Sequence, residues 1–265
     1  MRRMWLAVVP ALLVLSSCTG TDAVPQDGAP TNPSPATSAP PTDELPDPGP
    51  PCTMLVGKQE IGLTEAQAVA STALAAQALQ DRTGPVALAR RLEEVAGDAK
   101  TMRVARALLG YDGPTLSCVY PRAVLRDQKL GPSGLTPRAE RLRREMRNTF
   151  GDLAMGGFAG GGVSTGHIDN SSHYEGRAID VFFRPYTDPV EDRRGWVLSQ
   201  WLVARADEMR VLSVIYRDRI WTVWASFTGW RNYVHPSGKT KDPVLRHLDH
   251  VHIAVTGGPY RGDRD

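Results

Sequence analysis

The chain has 265 residues, enough for one large or two small domains. Its 31 basic and 29 acidic residues leave a net charge of +2, so no nucleic-acid partner is expected. With 41% apolar residues the composition supports a real hydrophobic core.

The first 18 residues read as an export signal rather than as part of a fold. Arg2 and Arg3 form a charged start, and Trp5 to Leu15 is an apolar run too short for a membrane span. Leu15-Ser16-Ser17-Cys18 resembles a bacterial lipobox. That resemblance implies cleavage before Cys18 and a lipid on its sulfur, anchoring the chain to the outer face of the cytoplasmic membrane. Residues 19–51 hold nearly half of the chain's 21 prolines, mixed with Thr, Ser, Ala, Asp and Gly. Such a segment cannot bury enough apolar surface to order itself, and it predicts an extended tether with a reach on the order of 50 to 100 Å.

Residues 52–120 predict a small, mostly helical region. Thr64 caps a helix from Glu65 to about Leu79, Val86 to Val95 and Thr101 to Leu109 repeat the apolar helical spacing, and Asp112-Gly113-Pro114 ends the run. Leu116 to Tyr120 reads as a short strand. Once Cys18 is lipidated, Cys52 and Cys118 remain as an even pair in an exported chain, which predicts a disulfide. No His falls in this region, so the chemistry is expected in residues 121–265.

Thr136-Pro137 opens a strongly basic helix carrying Arg138, Arg141, Arg143, Arg144 and Arg147, most simply a solvated face. Residues 151–166 form a glycine-rich loop suited to the border of a cleft. It contains Gly162-Val163-Ser164-Thr165-Gly166, a G-x-S-x-G match without the strand-to-helix turn that a nucleophilic serine needs. His167 follows this loop as a candidate substrate contact. Asp188-Pro189 begins a helix to about Met209, and Val211 to Tyr216 and Arg219 to Val223 read as two strands around an Arg217-Asp218 turn. Trp221 reads as core, while Trp230 and Tyr233, on the loop before the last cluster, are candidates to line a groove.

Two clusters carry the chemistry. Ser171 to Asp180 reads S-S-H-Y-E-G-R-A-I-D, with His173 and Asp180 seven apart and a buried strand running on to Phe183. A turn feeding a strand can bring an imidazole and a carboxylate to one point, and such donors suit zinc. The second cluster, His247-Leu248-Asp249-His250-Val251-His252, opens the last strand, in which His250 and His252 share a face. Together, S-x-H-x-x-G-x-A-x-D and a late H-x-x-H-x-H resemble the zinc peptidases that group lysostaphin-type endopeptidases, D-Ala-D-Ala metallopeptidases and hedgehog. The late triple His is most similar to the penicillin-insensitive murein endopeptidase branch.

The resemblance implies that His173, Asp180 and His252 hold Zn2+, with one position left open for water. It implies an α+β fold, an antiparallel sheet with flanking helices, preceded here by the small helical region. It also implies a wall-facing hydrolase of peptide bonds in peptidoglycan; a monomer is expected, though not from the resemblance. His250 and His247 are the candidate bases. Asp249 stands where the D-Ala-D-Ala branch has a Glu, but alternation turns it away from the metal face, where it would instead orient a His. Ser171 is expected to support the ligand turn, and Ser171, His167 and Trp230 to face substrate. Hedgehog keeps the zinc arrangement without peptidase activity, so a metal-bearing module that only binds wall peptides is the competing expectation.

Overall fold

The structure is a computed structural model and describes residues 51–80, 98–110, 113 and 115–257. The export signal, Cys18, the proline-rich tether and the helix expected at Val86 to Val95 lie outside the described residues. Among the described residues, no helix is long and apolar enough to cross a membrane.

The fold is α+β, with helices packed on antiparallel sheets. The chain opens on a hairpin, β1 (Cys52–Val56) and β2 (Gln59–Leu63). The helix α1 (Glu65–Gln80) follows, then α2 (Ala99–Gly110) and the short strand β3 (Leu116–Cys118). Threonine 64 caps α1 through a reciprocal pair: its Oγ accepts from Gln67 N, and its own N donates to Gln67 Oε1, both at 3.1 Å. Beside the expected helices the region also holds a small sheet. β1 lies between β2 and β3 in a three-stranded sheet, and the disulfide joins Cys52 and Cys118, which face each other in register.

The described residues of this region have no core of their own. Met54, Leu63, Leu108 and Leu116 belong to the same buried cluster as Leu142, Trp201, Trp221 and Val251. Gln200 Oε1 accepts from the backbone N of Thr115 and of Leu116, and the Tyr120 hydroxyl donates to Ala204 O at 2.6 Å. The described residues thus share one interior.

Next comes α3 (Pro137–Phe150), capped by Thr136 with Pro at its first turn. The large sheet runs β4 (Met155–Gly156), β5 (Ala178–Phe182), β9 (His250–Val255), β6 (Val211–Tyr216), β7 (Arg219–Thr222) and β8 (Arg231–Asn232), in that spatial order, every pairing antiparallel. The expected long helix is two, α4 (Pro189–Ala204) and α5 (Ala206–Met209), because Arg205 leaves helical geometry at φ −108°, ψ 16°. The β6–β7 hairpin closes on Arg217 and Asp218, both at positive φ, as the right-handed twist of a two-residue hairpin favours.

Alternation sorts the large sheet into two faces. Ile179 and Val181 of β5, Val251, Ile253 and Val255 of β9, and Val214 of β6 point into the core beneath α4. The opposite face carries Asp180 and Phe182, His250 and His252, and Ile215. Ile215, Ile220 and Tyr233 form a small apolar cluster there, separate from the main core.

Candidate metal centre

The cleft lies on that second face. The register places Asp180 directly opposite His252 and Phe182 opposite His250 on β5 and β9, while Ile215 of β6 pairs with His252 from the other side. Directly paired residues share a face with their Cβ atoms a few ångströms apart, so Asp180 and His252 meet without any help from loops.

His173 arrives from a compact turn. Tyr174 N donates to Ser171 O, Gly176 N to His173 O and Arg177 N to Ser172 O. Ser171 Oγ accepts from His173 N at 3.3 Å, the supporting role expected of it. Gly176 sits at φ +63°, and its carbonyl accepts from Thr136 N, which ties the turn to the start of α3.

The three donors close into a triangle. His173 Nε2 lies 3.1 Å from His252 Nδ1 and 3.3 Å from Asp180 Oδ1, and His252 Nδ1 lies 3.0 Å from Asp180 Oδ1. Zinc held tetrahedrally by nitrogen and oxygen at its usual bond lengths separates its ligand atoms by roughly 3.3 Å, so the spacing fits. The hydrogen bonding fits as well. His173 Nδ1 lies 2.7 Å from the carbonyl of Gly157, which only accepts, so a neutral ring carries its proton there. Nε2 then turns a lone pair toward the Asp180 carboxylate, an arrangement that calls for a cation between them. All three residues are buried, at 2% exposure for His173, 7% for Asp180 and 6% for His252. The group could hold a metal ion. Burial opposes ionisation of Asp180, but the polar surroundings set by His252 and His173 outweigh it and hold the carboxyl well below the usual range.

A cleft of about 480 Å³ opens over this triangle. All six histidines of the chain line it: His167, His173, His235, His247, His250 and His252. His167 stacks on His173, ring centroids 3.9 Å apart, and its backbone is clamped by the Tyr174 hydroxyl, which accepts from His167 N and donates to His167 O. Burial, then the neighbouring imidazole of His173, lowers its pKa. His247 sits at φ +52° with its ring edge-on to Tyr233 and 4.7 Å from that of His250. It is 8% exposed, and its Nδ1 has no hydrogen-bond partner in the described residues. Burial pushes its pKa well below the ordinary histidine value, keeping it neutral. His250 directs Nδ1 to Asp249 Oδ1 at 2.8 Å, and its Nε2 lies 3.9 Å from Asp180 Oδ1.

Asp249, ranked below His250 and His247 as a base because alternation turns it away, does not line the cleft; its carboxylate serves His250 and is held below the usual range, hydrogen bonds from His250 and Arg184 overcoming the opposing effect of burial. Trp230 does not line it either: its Nε1 donates to Leu116 O and its ring packs against Trp196, because β8 carries it over the core side. Tyr233 does face the cleft, as does His235, whose Nδ1 meets Ser237 Oγ at 2.7 Å. Sequence reasoning treated His235 as part of a plain loop; its nearness in the chain to Tyr233 was the signal. None of the basic residues of α3 lines the cleft. Arg138 donates to the carbonyls of Thr256 and Arg126, Arg141 pairs with Glu208 and Arg143 with Glu140. Ser164 is exposed on its loop.

Residues 131–244 match the family model described as VldE, C-terminal domain. The matched stretch includes His173 and Asp180 and stops short of His247, Asp249, His250 and His252. No curated protein and no solved structure matches the chain.

Proposed function

We propose that this chain is a zinc-dependent hydrolase of peptide bonds in peptidoglycan, held by a lipid on Cys18 at the outer face of a bacterial cytoplasmic membrane. The observation that carries the reading is the buried His173–Asp180–His252 triangle, with edges of 3.0–3.3 Å, at the floor of a cleft lined by every histidine of the chain. A structural zinc usually takes four protein ligands. Three donors beneath an open cleft suit a site that leaves one position for chemistry. When bound there, zinc supplies Lewis-acid polarisation of a carbonyl and brings the ionisation of water near neutral pH.

The protein's own groups supply the rest. His250, its Nδ1 proton directed to Asp249, presents a bare Nε2 to the cleft and accepts a proton from water there. The resulting imidazolium is stabilised by the Asp249 carboxylate and returns the proton to the departing amine. Phe182, Ile215, Ile168 and Tyr233 give the walls apolar surface to exclude bulk water around the scissile bond. His247, neutral and close to His250, is the second imidazole within reach.

The test is metal content of the purified chain together with digestion of isolated peptidoglycan, with and without a chelator. One zinc per chain and chelator-sensitive release of peptide fragments is the expected result. Zinc bound without release would move the assignment to a module that only binds wall peptides, and a chain that retains no metal would overturn the site.

A further inference from the structure

His250 is the end of a three-residue chain of contacts that runs away from the cleft. Its Nδ1 meets Asp249 Oδ1 at 2.8 Å. The other carboxylate oxygen, Oδ2, accepts two hydrogen bonds from Arg184, from Nε at 2.8 Å and from Nη2 at 2.6 Å. The sheet builds this alignment. Phe182 pairs with His250, and the ladder extends one step further as Phe183 N donates to Asp249 O at 2.8 Å. Arg184 and Asp249 therefore leave the same end of two bonded strands. The guanidinium lies 4.3 Å over the Phe182 ring, and that ring stands 5.7 Å from His250.

We propose that Arg184 and Asp249 are positioning residues that fix the tautomer of His250, leaving Nε2 unprotonated and aimed into the cleft. The proposal rests on the assignment of His250 as the base. A carboxylate only accepts, so Asp249 selects the ring form with the proton on Nδ1. A lone carboxylate can still rotate and offer either oxygen. Two donors from Arg184 on Oδ2 remove that freedom and leave Oδ1 for the imidazole. Stability is a poor explanation for the pair. The Arg184 side chain is 56% exposed, and ion pairs open to solvent contribute little. Asp249, by contrast, is 7% exposed on its side chain and spends both oxygens on these two neighbours.

The arrangement makes an unusual prediction for Asp249→Asn. Arg184 still demands an acceptor, so the amide oxygen turns to it and the NH2 group is forced toward His250 Nδ1. The ring must then carry its proton on Nε2. The full chain, labelled with 15N at histidine and loaded with one equivalent of zinc, reports the tautomer through two-bond 1H–15N couplings. Expected are the Nδ1–H form for the unmodified chain, the Nε2–H form for Asp249→Asn, and loss of that preference when Arg184→Gln is added. On peptidoglycan fragments, Asp249→Asn lowers kcat by roughly 10³-fold or more with KM little changed, as the wrong tautomer does in other imidazole bases. Arg184→Gln lowers kcat by about tenfold, and Arg184→Lys restores most of it, since a point charge can still hold Oδ2. Retention of the Nδ1–H form in Asp249→Asn overturns the proposal. An Asn variant indifferent to Arg184→Gln, with kcat unaffected by Arg184→Gln alone, removes Arg184 from it. The tautomers are read whether or not the chain hydrolyses anything, so a chain without activity would fail the hydrolase assignment and leave this result standing.

Discussion

The two sheets of this molecule give one face each to the same interior, yet they do different work. The three-stranded sheet β2-β1-β3 carries no histidine and is cross-linked by Cys52–Cys118. The six-stranded sheet leaves its second face open and sets Asp180, His250 and His252 on it within two adjacent strands. From this contrast the candidate metal centre is expected to depend on the strands of the large sheet and not on the disulfide, whereas the shared core is expected to depend on both sheets. Metal binding and thermal stability should therefore separate when each sheet is perturbed in turn.

The largest effect belongs to the ligands. His173→Ala, Asp180→Ala and His252→Ala should each leave a folded chain that retains no metal after dialysis and releases no peptide from peptidoglycan. Elemental analysis beside circular dichroism checks both halves of that statement. If any one of them still bound zinc stoichiometrically, the triangle would not be the site. Removing the disulfide should do the reverse. The bridge spans a separation of 66 residues, worth about 4 kcal/mol when loop closure in the unfolded chain is the cause. The double Cys52→Ala/Cys118→Ala chain should melt ~8–16 °C lower while binding metal with unchanged affinity at temperatures where it remains folded. A loss of metal affinity in that chain would mean that the small sheet reaches the site after all.

Gly157→Ala sharpens the comparison from the rim of the large sheet. Gly157 has φ +79°, and a methyl group there would collide with the ring of His173 and lie 3.0 Å from Asp180 Oδ2. The carbonyl that orients His173 would have to move. Metal affinity should fall about 10–100-fold, the usual cost of disturbing a group that orients a ligand. Isothermal titration with zinc measures it, and an unchanged affinity would show that the turn adapts freely.

How much of this was legible depended on which kind of element held each residue. The strand-borne groups were legible because period-two alternation fixes a face: His250 and His252 had to point together, and Asp249 had to point away. The α+β class is what the family resemblance implies, whereas the α1 and α3 caps and the β6–β7 hairpin follow from local signals such as Thr64, Thr136-Pro137 and the polar turn at Arg217-Asp218. What failed lay in non-local packing. Nothing in Cys52 to Leu63 announces a hairpin strongly, because Leu55 and Val56 blur the alternation, and pairing with β3 across the disulfide decides it. Trp230 and His235 sit five residues apart, on either side of the two-residue strand β8, and end on opposite sides of the sheet. So short a strand has no periodicity from which that could be read.

The smallest effect concerns His247, which is buried in the turn before β9 and lies outside the His173–Asp180–His252 group. Its folded-state pKa lies well below that of an unfolded histidine. Below about pH 6.5 the unfolded chain binds a proton that the folded chain does not, so stability rises with pH through this window and is lost as the pH falls beneath it. The slope for one such group approaches 1.4 kcal/mol per pH unit. His167, also depressed, acts in the same direction. Denaturant unfolding of the metal-free chain at pH 5.5 and 7.5 should show about 1 kcal/mol less stability at the lower pH. His247→Gln should remove most of that difference, because Gln cannot take up the proton. An undiminished difference in the Gln variant would place the titration on His167 instead. Either residue lines the cleft on the large sheet, so the contrast between the two sheets would extend to their response to pH.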